Sequence, residues 1–295
     1  MMDQAGVTLG VVIPNGSDLV EGLRSLGGDL NDTLDAYHRS LSADLARTDG
    51  RLVAAATIDP RGGSAAVAGL ERALALPSIV GIGLVASYDG VALDDPLFEP
   101  IFQIARDYDV PILVHPSSVA PGWVEALRLD NQVLRTGLGF LLDDALCILR
   151  MALNGTFDRH PDVRFMFCQL GGVAPFCCGR WEYHRHQARV LEAEKGIKRP
   201  DWVGKSLADY LAHVWLDTHT QDRHALGLVL AEIGEDVTVL GGDHPYTPFE
   251  RGVPYALAEI AALGLSPGAQ RKVERENALR LLGPRLDAAG SPPVE

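Results

Sequence analysis

The chain has 295 residues, 47% of them hydrophobic, and carries a formal charge of −13 with a pI near 5.1. That size buries one large core and suits a single α/β barrel as well as two ordinary domains. The acidic excess repels phosphate backbones and anionic lipid, which excludes nucleic acid and membrane surfaces as partners.

The opening MMDQAGVTLG lacks the basic and apolar regions of a secretory signal, and no apolar run reaches the roughly 18–20 residues of a membrane helix; a cytoplasmic protein is expected. Seven short runs rich in Val, Ile and Leu then recur along the chain: 7–14, 51–59, 79–86, 111–116, 164–172, 213–220 and 238–245. Helical periodicity fills 64–76, 95–108, 143–154, 176–195, 222–233 and 251–263. Strands alternating with helices over a whole chain predict a parallel sheet covered by helices, and a TIM-like (β/α) barrel fits best. Such a barrel has eight strands, so one is absent or altered, and the first is the one without a counterpart. One barrel domain is expected over 1–286, followed by a disordered tail, DAAGSPPVE, at 287–295. The four cysteines, Cys147, Cys168, Cys177 and Cys178, show no C-x-x-C spacing and read as reduced, mostly buried thiols.

Polar residues stand at the C-terminal end of nearly every run: Asn15, Asp59, His115, Gln169, Asp217 with His219, and Asp243. Barrel enzymes place their chemistry at that end. An isolated strand-end Asp usually caps a helix, and an isolated His usually satisfies a neighbour. Convergence of several is what points to a site. Alternation along a strand puts Asp217 and His219 on one face, so His219 projects at the mouth as a catalytic candidate or serves as a hydrogen-bonded structural residue. The HRH of 184–186 falls in a predicted helix, where residues two apart diverge by about 200°, so His184 and His186 cannot chelate one ion together.

The order of these signals resembles the amidohydrolase-related barrels that include aminocarboxymuconate semialdehyde and resorcylate decarboxylases. ILVHP, RHPDVRFMFCQLGG with the following P and GR, VLGGDHPY and the closing NALRLL carry the resemblance, which covers almost the whole chain. It implies that His115 is a metal-ligand histidine and that Asp243 binds metal and moves protons. It also places Gln169 where family decarboxylases keep a histidine. A glutamine amide holds a substrate by hydrogen bonds but cannot titrate near neutral pH. Arg180 matches an arginine that reaches a neighbouring subunit's site and pairs with a substrate carboxylate, with a surface ion pair as the alternative.

The expectation is therefore a divergent amidohydrolase-family lyase or hydrolase acting on a small aromatic or enolic carboxylate, as a homodimer. Asp243, His115 and His219 are its catalytic candidates; Gln169, Arg180, Asp217 and Asn15 are its substrate-binding candidates. The family's first-strand His-x-His has no counterpart, so no tightly bound metal is expected, and a divalent ion such as zinc would rest on His115 and Asp243. The alternatives are a non-catalytic binding or partner subunit, or a metal-dependent enzyme whose first strand lies upstream of the given sequence.

Overall fold

The computed structural model describes residues 1–14, 16–117, 131–219 and 222–288. Each apolar run contains a strand that is shorter than the run itself: β1 (Gly10–Val12), β2 (Leu52–Thr57), β3 (Ile79–Val85), β4 (Ile112–His115), β5 (Phe165–Phe167), β6 (Val214–Asp217) and β7 (Thr238–Val239). They form one sheet in chain order, with parallel register at β1–β2, β2–β3, β3–β4 and β6–β7. This is the α/β architecture of a TIM-like barrel, and no eighth strand joins the sheet among the described residues. All seven residues of β3 are buried, as a parallel strand covered on both faces must be.

By contact the chain divides into two compact units, Met1–Leu129 with Asp162–Met166 and Leu279–Glu295, and Asp130–Pro161 with Phe167–Ala278. In the first, α1 (Gly16–Ser25), α2 (Leu30–Leu45), α3 (Gly63–Leu74) and α4 (Glu99–Asp107) accompany β1–β4. Its core stacks Tyr88, Phe98, Phe102 and Phe165 in series, with ring centroids 5.7, 6.3 and 5.2 Å apart. A second cluster joins Val53 and Val80 to Leu282 and Leu286. Asp59, at the end of β2, is 3% exposed and is held by Arg24 and Arg61, so its charge is spent on structure.

The second unit carries the end of β5 with β6 and β7, and the helices α5 (Phe140–Leu153), α6 (Cys178–Lys195), α7 (Arg223–Glu232) and α8 (Val253–Ala262). The NALRLL segment is helix α9 (Asn277–Leu282). Its Asn277, fully buried, donates to the carbonyls of Glu235 and Thr238 at 2.6 and 2.7 Å, pinning the start of β7. Arg285–Ala288 adds a last helical turn; the rest of the expected disordered tail lies outside the described residues. No described helix is long and apolar enough to cross a membrane.

The α2 helix escapes a reading by hydrophobic period because its buried stripe, Leu34, His38, Ser42 and Leu45, is half polar. His38 is 2% exposed, and its Nε2 accepts the N–H of Thr57 at 3.1 Å, which requires a neutral ring. Burial lowers its pKa to about 4 against the smaller opposing pull of Asp35. A depressed histidine pKa means that the unfolded chain takes up a proton the folded chain refuses. Stability from this site is complete above about pH 6.5 and falls toward pH 4 by up to about 1.4 kcal/mol per unit. Urea midpoints at pH 7, 6 and 5 should fall more steeply for the native protein than for His38→Gln; parallel slopes would remove His38 from the account.

Candidate active site at the ends of β5, β6 and β7

The strand β5 ends in an uncommon turn. Gln169, Leu170, Gly171 and Gly172 all have positive φ (55°, 57°, 69° and 63°), and two of them are not glycine, so the turn is strained unless its surroundings hold it. Asp217 at the end of β6 does so. Its Oδ1 accepts the N–H of Gln169 at 2.8 Å and that of His219 at 3.2 Å, inside a site where Asp217 is only 6% exposed. The glycines are required by space as well as by angle. A Cβ on Gly171 would lie 2.9 Å from both Ile148 and Leu216, and one on Gly172 would lie 1.9 Å from the Leu141 carbonyl oxygen.

Beyond β7, Gly241 and Gly242 let the chain pass tightly over this point: a Cβ on Gly241 would stand 2.9 Å from the Asp217 carboxylate. Asp243 follows, also at positive φ (55°). Its Oδ2 faces Nε2 of His219 at 3.3 Å and accepts the Thr247 hydroxyl at 2.5 Å. His219 is 7% exposed. Burial opposes its charge, but the hydrogen bond to Asp243 and the charges of Asp217 and Asp243 outweigh burial and raise its pKa. Burial raises the Asp217 pKa, while His219 and the two N–H donors oppose the rise.

Cys168, Asp217 and His219 each offer a ligand atom, and the three atoms lie within 4.8 Å of one another, all buried. Burial first, then Asp217 and Asp144, push the Cys168 thiol well above its usual pKa. Asp144 on α5 is fully buried, and among the described residues neither carboxylate oxygen has a hydrogen-bond partner. Its pKa is raised well above normal by burial, then by Asp143 and Asp217. The Gln169 Oε1 is likewise buried and without a hydrogen-bond partner among the described residues.

Of the residues singled out in the sequence, Gln169, Asp217, His219 and Asp243 thus meet in one place. Asp217 has its carboxylate turned to backbone N–H groups, which makes it the residue that positions Gln169 and His219. His115, in the other unit, is half-buried at the end of β4, with its Nδ1 2.7 Å from the Pro116 carbonyl oxygen. Arg180 is exposed on α6, with its guanidinium 4.9 Å from the centroid of the Tyr183 ring. His184 and His186 are exposed on the same helix, flanking the buried Arg185. Asn15 lies outside the described residues. Sequence reasoning missed Asp144 and Cys168. Asp144 shares a helix face with Ile148 and Met151, both fully buried, and an acid on an apolar stripe was the signal available. Cys168, at the end of an apolar run, looks like any buried thiol.

A sequence profile of the amidohydrolase family matches residues 27–283, and the chain belongs to that family. It is 28% identical over 216 residues to the 2-amino-3-carboxymuconate-6-semialdehyde decarboxylase of Dictyostelium discoideum, covering 72% of this chain and 56% of that protein. To the gamma-resorcylate decarboxylase of Rhizobium sp. (strain MTP-10005) it is 24% identical over 257 residues, covering 84% of this chain and 75% of that one. The crystal structure of a dihydroxybenzoic acid decarboxylase from Polaromonas sp. JS666, with bound manganese and 2-nitroresorcinol, superposes with a TM-score of 0.74 at 18% identity, over 95% of this chain and 83% of that one. The chain therefore spans little more than half the length of the first of these relatives.

The turn after β5 yields a direct expectation. Gly172→Ala should cost at least about 2 kcal/mol, from the forced angle and the clash with Leu141. Gly179→Ala, on α6 with no atom within 4 Å of the added Cβ, should be neutral or stabilising. Thermal melts of the two proteins side by side decide it, and equal melting temperatures would contradict the described turn.

Proposed function

We propose that the protein is a decarboxylase of a small aromatic or enolic carboxylate, with Asp243 as the residue that moves the proton. The observation that carries this is the Asp243–His219 pair, held at the strand ends by Asp217 in a chain of the amidohydrolase family. The kinship to decarboxylases of carboxymuconate semialdehyde and resorcylate supports the substrate class.

Decarboxylation breaks the carbon–carboxylate bond, releases carbon dioxide and leaves a carbon that must accept one proton. In this reading Asp243 delivers it, and the Nε2 of His219 beside its Oδ2 orients the carboxyl group and re-supplies the proton. The Thr247 hydroxyl fixes the same oxygen from the other side. Gln169, lacking a titratable group, holds the substrate through its amide.

The manganese in the Polaromonas enzyme raises the question of an ion here. The one cluster of three donors among the described residues includes a thiol and is buried, whereas manganese favours oxygen donors and an accessible position. That set does not fit a catalytic manganese, and no step above runs through an ion.

Arg180 is the candidate for gripping the substrate carboxylate of a second copy's site. Its exposure, its stacking on Tyr183 and the 79% exposed Phe176 nearby support a homodimer built on this face. Four free thiols suit the cytoplasm. The replacement of the family histidine by Gln169 favours one other reading, a non-catalytic binding subunit.

Two experiments test this. Carbon dioxide release should be measured over a panel of small hydroxybenzoates that includes γ-resorcylate. Turnover is expected on at least one, and Asp243→Asn should lose about 10²-fold or more while remaining folded. Binding without turnover across the panel would favour the non-catalytic reading, and an active Asp243→Asn would move the chemistry elsewhere. Mixing Arg180→Ala with Asp243→Asn protein should restore some activity, since a mixed dimer holds one complete site. Verified mixed dimers without recovery, or a monomer by light scattering, would rule out the shared site.

A further inference from the structure

Cys168 takes no part in the chemistry proposed above, yet it stands against the residue that anchors the site. The Gln169 nitrogen, whose N–H is accepted by Asp217 Oδ1 at 2.8 Å, is bonded to the Cys168 carbonyl carbon, so the chain itself places Cys168 beside that carboxylate. Its Sγ, a carboxylate oxygen of Asp217 and a ring nitrogen of His219 lie within 4.8 Å of one another. The three residues are 3, 6 and 7% exposed, so water does not compete for these groups. The thiol and the carboxylate are hydrogen-bonded. Only the thiol can be the donor, because a carboxylate offers lone pairs and no proton. The two backbone N–H groups that Asp217 accepts, from Gln169 and His219, both fall on Oδ1. The terminal torsion of an Asp side chain is soft, so donors on one oxygen alone leave the carboxyl plane free to turn. A third donor, on a side chain of fixed position, restricts it.

We infer that Cys168 is a positioning residue of the proton-delivering site: its S–H donates to the Asp217 carboxylate and holds it where it anchors His219 beside Asp243. A thiol is a weak donor to a neutral acceptor, but an ionised acceptor in a water-free interior strengthens the bond. Serine at this position keeps a donor of similar reach, and alanine removes it. Cys147 supplies the contrast. It is as buried, at 2% exposed, but its Sγ faces the neutral thioether sulfur of Met151 at 3.8 Å. The effect on turnover rests on the decarboxylase reading; the hydrogen bond and the placement of His219 do not.

Infrared spectroscopy of the native protein reads the bond directly, because S–H stretching falls where other protein groups do not absorb. Of the four thiols, one should absorb at clearly lower frequency and with greater intensity than the rest. That band should vanish in Cys168→Ser, persist in Cys147→Ala and move to higher frequency in Asp217→Asn. A native spectrum without a shifted band overturns the proposal without needing any variant to fold, and so does a shifted band that survives Cys168→Ser. Proton NMR then reads the positioning without turnover. The His219 Nε2–H held against Asp243 should give a downfield resonance in the native and Cys168→Ser proteins and lose it to exchange in Cys168→Ala; its retention in Cys168→Ala would overturn the positioning role. On a substrate that the native enzyme decarboxylates, Cys168→Ala should lose about 10-fold in kcat with KM within about twofold, while Cys168→Ser stays within about threefold of native. Cys147→Ala, which loses the same buried volume, should be unchanged. Native activity in Cys168→Ala, or an equal loss in both alanine variants, contradicts the proposal. No turnover in any of these proteins, with both spectra as expected, removes the decarboxylase reading and leaves the positioning of His219 standing.

Discussion

A single buried carboxylate, Asp217, holds the candidate site together. Its Oδ1 takes the backbone N–H of Gln169 from the turn after β5 and that of His219 from its own strand end. Both hydrogen bonds are charge-assisted, and both act where water is excluded, so they are stronger than neutral pairs at the surface. Without them, Gln169 and Leu170 would have little reason to remain at φ near 55°. His219 would also lose the anchor that turns its Nε2 toward Asp243. The glycines at 171, 172 and 241 are consequences of the same arrangement, because the chain must pass within a carbon radius of Leu141, Leu216 and Asp217 itself.

That constraint separates two kinds of polar residue that look alike at strand ends. Asp59 and Asp217 are both buried acids, yet Asp59 is neutralised by Arg24 and Arg61 while Asp217 is satisfied chiefly by backbone donors. An arginine-paired acid has little left to give a substrate or a proton. An acid held by peptide N–H groups keeps its influence on His219, whose pKa is raised by the hydrogen bond to Asp243 and then by the charges of Asp217 and Asp243 against burial. Asp243 is half-buried, at the edge of the interior, with one oxygen shared between His219 and Thr247. In the proposed reading, the buried Asp217 is the anchor and the half-buried Asp243 is the acid.

The strands were legible in the sequence because parallel strands buried on both faces are continuous apolar runs, and β3 is the clearest case. Their ends were legible as well, which is why Gln169, Asp217, His219 and Asp243 could be named together. What could not be read is the use of each side chain. Asp217 looked like a substrate contact, and only coordinates reveal that its oxygen faces two peptide N–H groups. Helix α2 was hidden by His38 and Ser42 within its buried stripe. Asp144 and Cys168 were hidden for the opposite reason, since each sits in apolar sequence and becomes chemically distinct only when α5 and the end of β5 bring them near Asp217.

The central claim is that the site replaces a carboxylate by a proton drawn from solvent through Asp243. The most direct measurement is proton NMR of the product formed from an accepted substrate, γ-resorcylate being the first to try, in heavy water. One deuterium at the carbon that carried the carboxylate, appearing at the rate of carbon dioxide release, is the predicted result. A product that keeps its carboxylate and has instead been cleaved by water at another bond would contradict it.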